Sequence, residues 1–446
     1  MLSDKTEFKI KLIRIILPIT LQNFMLALLP VSDCLMLATL DQDSMSAVSL
    51  AGQLFLIMTL FTNALTAGAG MFASQYWGNN DKASIEKLLG LCFLLTLPIA
   101  IIFFCFPFFF PKTVMQIYTD EPAIIDYGIN YLVIVAPGFA FECFTMLYHI
   151  FMKNIDMVKE SAVISIITCL LNIALNAVFI FGLIGKPLAE RGAALGTTLS
   201  CLFAMVLSIA LFTGRKIIRL RLKNIIRPGK DLFKRFCKYS VPILGNSLGW
   251  GIGFTTITII MGHLGSDAVA ANSIVAVAKD LISCFCFALA SGAVILVGNE
   301  LGAGQLERAR NYGRYLCHLA IVSGIISGVV LAALAPIIVR FVNLSDRASY
   351  YLLIMLLMCI YYMLGRSLNS TIISGIFTAG GDTRFGFICD TITMWVFIIP
   401  AGALAAFYFD LPVLWVFFIL NLDEIIKLPV VYLHYIKYKW LKTIIK

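Results

Sequence analysis

Charge is scarce in this chain. Asp, Glu, Lys and Arg make up 13% of its 446 residues, where a soluble globular domain carries about 25%. Hydrophobic residues make up 60%, and the mean hydropathy is +0.92. That composition excludes a soluble domain and indicates an all-α polytopic membrane protein. The usual marks of catalysis are also thin. The four histidines, His149, His263, His318 and His434, are scattered and form no HExxH. None of the 12 cysteines stands in a CxxC pair, and no Cys/His cluster suggests zinc. The cysteines read as small buried hydrophobes. No filter loop or ring of repeated polar residues marks a channel. An enzyme is not expected, and neither is a cofactor.

What is present is a series of apolar runs. Twelve spans are expected, near 15–40, 44–77, 88–110, 124–152, 160–183, 193–213, 239–262, 267–300, 315–339, 349–377, 385–408 and 412–434. Lys5, Lys9, Lys11 and Arg14 precede the first run as in a signal peptide, but the run is too long for one and reads as a retained span. With the N-terminus placed in the cytoplasm, 26 Lys and Arg fall in inside segments and five (Lys112, Lys186, Arg191, Arg340, Arg347) in outside loops. This positive-inside bias supports an even number of spans with both termini cytoplasmic, in a cell (plasma) membrane. It also argues against nucleic acid as a partner, because the net charge of +9 is spread over all the inside loops. The most basic segment, 214–238, reads as a cytoplasmic linker whose cations meet anionic headgroups. It separates lobes 1–213 and 239–446.

The lobes are copies. At an offset of 224 residues, Pro18 meets Pro242, Ile19 meets Ile243, Gln22 meets Asn246, Asp43 meets Asp267, and Gly68-Ala69 meets Gly292-Ala293. An even number of intervening spans gives both copies the same orientation. They are therefore expected to be related by a pseudo-two-fold axis along the membrane normal.

One acid breaks the symmetry. Asp33 lies deep in the first apolar run, three residues after Pro30, and its counterpart in the second copy is Ile257. A carboxylate inside a span is costly and normally faces a cavity or a partner. The proline removes an amide from the preceding turn and loosens it. In the fifth span, Asn172 and Asn176 are four residues apart and share a helix face. Two amides and a carboxylate suit a proton or a dehydrated Na⁺; the amides can equally join helix to helix.

These residues sit within a larger set. Pro18 and Gln22 precede Ser32-Asp33. The second span ends Ser74-Gln75-Tyr76-Trp77-Gly78. Gly192-Ala193-Ala194 leads to Thr197-Thr198, and Asn299-Glu300-Leu301-Gly302-Ala303-Gly304 and Ala379-Gly380-Gly381-Asp382-Thr383-Arg384 follow. Together they resemble the multidrug and toxic compound extrusion (MATE) family, over essentially the whole chain. The resemblance implies a twelve-helix, two-lobe exporter driven by H⁺ or Na⁺, with organic cations as usual substrates. By position it assigns Asp33, Asn172, Asn176 and Thr198 to the cation-coupling site, with Na⁺ possible at the first three. The chain departs from the family at Thr378, where Arg is common. It also lacks an acid in the seventh span, which puts a Na⁺ site in the second lobe in doubt.

A substrate cavity between the lobes is expected to use Gln22, Gln53, Asn246, Glu142 and Asp390. Aromatic and methionine side chains of the first, second and fourth spans suit pliable binding of amphipathic cations. Asp423, Glu424 and Lys427 read as a mutually neutralising structural group. The function expected is antiport of amphipathic organic cations by a monomer in the lipid bilayer, through alternating access. A lipid or lipid-linked oligosaccharide flippase of the same superfamily is the alternative. That flippase would need a more basic interior than Lys279, Arg366 and Lys427 supply.

Overall fold

The computed structural model describes residues 4–39, 42–183, 185–226, 229–342 and 344–445. Arg227, counted above in the linker, lies outside them. Eleven of the described helices are long and apolar enough to cross a membrane. They are α1 (Asp4–Ala38), α2 (Gln42–Gly78), α3 (Lys82–Phe109), α4 (Pro122–Asn154), α5 (Val158–Phe181), α6 (Ala189–Gly214), α7 (Lys230–Gly262), α8 (Ser266–Gly302), α9 (Leu306–Phe341), α10 (Asp346–Phe377) and α11 (Thr383–Phe407). Helices α10 and α11 contain π-helical turns at Ser370–Phe377 and Thr393–Ile398. Large apolar side chains remain exposed along the spans, among them Leu17 at 65%, Leu35 at 65% and Ile102 at 59%. Apolar surface on that scale is stable only against lipid. The chain is a multi-pass integral membrane protein.

The twelfth span departs from expectation. It is three short helices, α12 (Val413–Leu420), α13 (Asp423–Ile426) and α14 (Leu428–Tyr435). The breaks coincide with its polar residues. Asn421 turns its side-chain amide back to the Phe417 carbonyl at 2.9 Å, Lys427 separates α13 from α14, and Pro429 stands in the first turn of α14. Proline supplies no amide to the turn before it, and Glu424 and Lys427 bond to other helices.

Two compact units form, Leu21–Cys237 and a second made of Met1–Thr20 with Lys238–Lys446. In the first, Leu37, Met58, Val135, Phe139, Ile180 and Ala193 belong to one buried core. The short linker helix Leu222–Ile226 lies on α3, with Asn224 so near Gly90 that a Cβ there would stand 2.6 Å from its backbone carbonyl carbon. Arg221 pairs with Glu86 at 2.8 Å. The last part of the sequence-defined linker, from Lys230, is already the start of α7.

In the second unit the core includes Met261, Val275, Leu352, Met355 and Phe417. The start of α1 joins it through its side chains. Phe8 packs on Tyr312 and Tyr315 with centroids 4.9 and 5.2 Å away. Glu7 accepts from Arg308 at 2.8 Å and pairs with Lys11 at 2.8 Å. Trp440, fully buried, stacks on Tyr435 at 5.7 Å. It also lies against Gly380, where a side chain would have no room.

Candidate functional site

Asp33, Asn172 and Asn176 come together. Helix α1 carries the carboxylate, and the shared face of α5 carries both amides. Asn176 donates to Asp33 Oδ1 at 2.6 Å and lies 3.2 Å from Asn172 Oδ1. Asn172 donates in turn to Thr197 Oγ1 and Ser200 Oγ of α6, each at 3.3 Å. Asn172 and Asn176 are 2% and 0% exposed. Gly196 of α6 makes the approach possible, because a Cβ there would collide with Asn176 Oδ1. Thr198 points elsewhere: its hydroxyl donates to the Ile134 carbonyl at 2.8 Å. The α6 hydroxyls that meet Asn172 belong to Thr197 and Ser200. The difference follows from helix geometry, since adjacent residues point about 100° apart.

Gln22 is buried in a polar group of its own. Its amide nitrogen contacts Ser165 Oγ at 2.8 Å, Ser161 Oγ at 3.4 Å and His149 Nδ1 at 3.2 Å. That nitrogen can only donate, so Nδ1 accepts and Nε2–H faces Ser208 Oγ at 3.2 Å. Gln53 is exposed. Glu142 is half-buried with no hydrogen bond or ion pair among the described residues. Neither is a hydrogen-bond partner of Asp33.

The second unit has a different arrangement. Asn246 donates to Asp390 Oδ2 at 2.9 Å, and Lys427 pairs with Asp390 Oδ1 at 2.9 Å. Lys427 also reaches Glu424 at 3.1 Å, which pairs with Arg366 at 3.1 Å and accepts from Asn369 at 2.8 Å. Gln22 and Asn246 thus play the same part in the two copies. Each reaches from its lobe's first helix to its fifth, across 143 residues in one case and 144 in the other. The stretch Gly245-Asn246-Ser247-Leu248-Gly249 has the spacing of a nucleophile elbow. It lies inside helix α7, whereas that motif works on a strand-to-helix turn.

The model of the MatE family matches residues 18–178 and again 242–404, two copies whose starts are 224 residues apart. The chain belongs to the MatE family. Its relatives include the transporter YisQ of Bacillus subtilis, 23% identical over 87% of this chain and 86% of that one. The multidrug resistance protein MdtK of Yersinia enterocolitica is 22% identical over 88% and 86%. The probable multidrug resistance protein NorM of Oceanobacillus iheyensis is 22% identical over 90% of each. Among solved structures, the fold matches the MATE transporter VcmN of Vibrio cholerae in its bent form, with a TM-score of 0.87 at 15% identity over 99% and 98% of the two chains. It also matches a transporter of the MOP superfamily from Pyrococcus furiosus, with a TM-score of 0.88 at 15% identity over 97% and 96%.

In this MatE chain the sequence reading missed His149, Ser165, Thr197, Ser200 and the reach of Lys427. Part of that was legible. Ser161, Ser165, Asn172 and Asn176 fall on one face of α5 by their spacing, and all four are buried. The pair Lys427 and Glu424 was legible from spacing, but Asp423 makes no ion pair with Lys427, and nothing local marked the bond from Lys427 to Asp390, 37 residues away.

Proposed function

We propose that this chain is a secondary active multidrug exporter. It moves amphipathic organic cations out against H⁺, or Na⁺, by alternating access, and works as a monomer with both termini in the cytoplasm. The MdtK and NorM relatives, multidrug resistance proteins by name, support the drug-export part.

One observation carries the coupling role of Asp33. Its carboxylate lies in a membrane-crossing helix with the neutral amide of Asn176 as its hydrogen-bond partner and no ion pair among the described residues. An intramembrane carboxylate held by amides is free to take up a cation and release it. One bonded to Lys or Arg is already neutralised. Asn172 and Asn176 bring oxygens and N–H groups to the same point, so they serve the ionised and the protonated carboxyl alike. An incoming cation and an outgoing cationic substrate compete for one negative charge in a poorly screened site, which makes the process an exchange.

The test is dye efflux from proteoliposomes, first under a pH gradient without Na⁺ and then under a Na⁺ gradient at uniform pH. Efflux in the first condition, lost in Asp33→Asn, is the result expected of proton coupling. Efflux in the second alone reassigns the ion to Na⁺. Gradient-driven efflux that survives Asp33→Asn overturns the site, and lipid scrambling without dye efflux favours the flippase.

A further inference from the structure

Four helices of the Leu21–Cys237 unit pass one another in a fixed register. Along α1 and α5, Gln22 with Ser165, the Met25 carbonyl with Cys169 and Asp33 with Asn176 lie 143, 144 and 143 residues apart. The constant separation makes these helices parallel. Helix α6 runs the other way along α5, since Gly192 meets Phe179, Gly196 meets Asn176 and Ser200 bonds to Asn172. Helix α4 is parallel to α6, with Gly138 against Thr198 and His149 bonded to Ser208.

Heights along the four helices can therefore be counted from the point where Gln22, His149, Ser165 and Ser208 meet. Asp33 and Asn176 stand eleven residues further along α1 and α5, and Thr197 eleven residues back along α6. That is a rise of about 16 Å at 1.5 Å per residue. Asn172 and Glu142 each stand seven residues from the same point, about 10 Å above His149 and about 6 Å below Asp33. Glu142 lies about 20° round α4 from His149 and about 40° from Gly138, the two positions that meet α6. Asp33, Glu142 and His149 thus form a ladder of titratable groups inside one unit, and Glu142 has no hydrogen bond or ion pair among the described residues.

The foot of the ladder is built to hold two protonation states. Gln22 is 1% exposed and His149 8%. Three polar atoms surround the Gln22 amide nitrogen, which has two hydrogens, whereas Gln22 Oε1 is buried with no hydrogen-bond partner among the described residues. As it stands, the amide donates to Nδ1 of a neutral imidazole. Turned over, it presents Oε1 to the Nδ1–H of an imidazolium and to the hydroxyls of Ser161 and Ser165. Lys153, one turn further along α4, is the charged group that acts on His149. Glu160, next to Ser161, is taken by Arg215 of α6.

We infer that Glu142 and His149 carry protons from Asp33 to the Asn154 end of α4. This rests on the proton-exchange reading of Asp33. Protonated Asp33 gives its proton to the ionised Glu142, and Glu142 gives it to Nδ1 of neutral His149 as the Gln22 amide turns over. The imidazolium then releases it to water at the end of α4 and becomes neutral again. Each step moves one proton and no electrons. Side-chain rotation and intervening water span the gaps, and chains of Asp, Glu and His within membrane helices are the material of proton relays. The turning amide makes the last transfer conditional, so the ladder is not an open leak.

The test uses the full chain in proteoliposomes under a pH gradient without Na⁺, with a trapped pH indicator and efflux of a cationic dye followed together. Glu142→Gln and His149→Gln are each expected to slow both signals about tenfold or more. Glu142→Asp, which still carries a proton, is expected to restore most of the rate. His149→Gln is expected to retain dye counterflow at equal pH, where no net proton crosses. Efflux at the parent rate in both Gln variants, with Asp33→Asn inactive, overturns the relay alone. No proton-driven efflux in the unaltered chain overturns the relay together with the proton reading. Equal losses in Glu142→Asp and Glu142→Gln, or loss of counterflow in His149→Gln, mean a structural role and also overturn it. The two Glu142 variants decide the matter if His149→Gln fails to fold.

Discussion

The two halves of this MatE chain share an ancestor pattern and spend their carboxylates differently. In the Leu21–Cys237 unit, Asp33 is on the first helix of the repeat and its partner is an amide 143 residues away. In the other unit that position is Ile257, and the acid is Asp390, on the fifth helix, bonded to both Asn246 and Lys427. One carboxylate is left with neutral neighbours and the other is tied to an ammonium. A repeat therefore preserves where helices touch, while the charge carried at each touching point is free to diverge. The contact between Gln22 and Ser165 and that between Asn246 and Asp390 show the shared frame. Lys427 shows the divergence: it locks the second acid into structure.

The sharpest way to break this contrast is to neutralise each acid in turn. Asp33→Asn is expected to lower gradient-driven dye efflux by a hundredfold or more, on the order of 3 kcal/mol of lost coupling, with membrane expression unchanged. Asp390→Asn should retain most of the transport. Equal losses in the two variants would erase the distinction between exchanging and structural carboxylates.

Lys427→Met asks whether the second acid is indeed structural. It leaves Asp390 without an ion pair and Glu424 with Arg366 alone. Removing one partner of a buried pair costs about 3–5 kcal/mol, so a large fall in melting temperature in detergent is expected. Lys427→Met combined with Asp390→Leu should recover part of it. A variant as stable as the parent would show that the pair carries no structural weight.

Gly196→Ala probes how tightly the first site is built. The added methyl collides with Asn176 Oδ1 and should push the amide off Asp33. Efflux is expected to fall about tenfold, which corresponds to about 1.4 kcal/mol. Gly52→Ala, at a position with open space around it, should be neutral in the same assay.

The smallest effect is expected at the shared contact. Ser165→Ala removes the 2.8 Å partner of Gln22 but leaves His149 in reach. A loss of about 1 kcal/mol in stability is expected, read from denaturant or thermal unfolding, with efflux little changed. Loss of transport at full stability would instead move Ser165 from the scaffold into the coupling path.

Much of the fold was legible because its signals are local. Apolar runs, the Lys and Arg bias and the repeat offset are properties of neighbouring residues or of simple alignment, and the membrane leaves helices as the only economical way to satisfy the backbone of such runs. Eleven spans formed where expected. The twelfth did not form as one helix, because Asn421, Glu424 and Lys427 bond to other helices, and hydropathy averaged over a window cannot see partners elsewhere in the chain. The first site was legible in part for the same reason. Asn172 and Asn176 share a face by spacing alone, and the depth of Asp33 is a count along the run. Which α6 hydroxyl meets them turned on a rotation of about 100° per residue, finer than the placement of a span from sequence.

By itself, then, the sequence determined the class of protein, its repeat, and the presence of one unduplicated acid in the first helix, since each of these follows from composition, spacing or self-comparison. Only the tertiary structure decided what each charge meets. The pairing of Asn176 with Asp33 and the bond from Lys427 to Asp390 depend on side chains brought together from helices far apart in the chain. Whether a buried charge is neutralised or left open depends on contacts of a few ångströms, because the energy of a charge in a low-dielectric interior changes steeply with the distance to its partner.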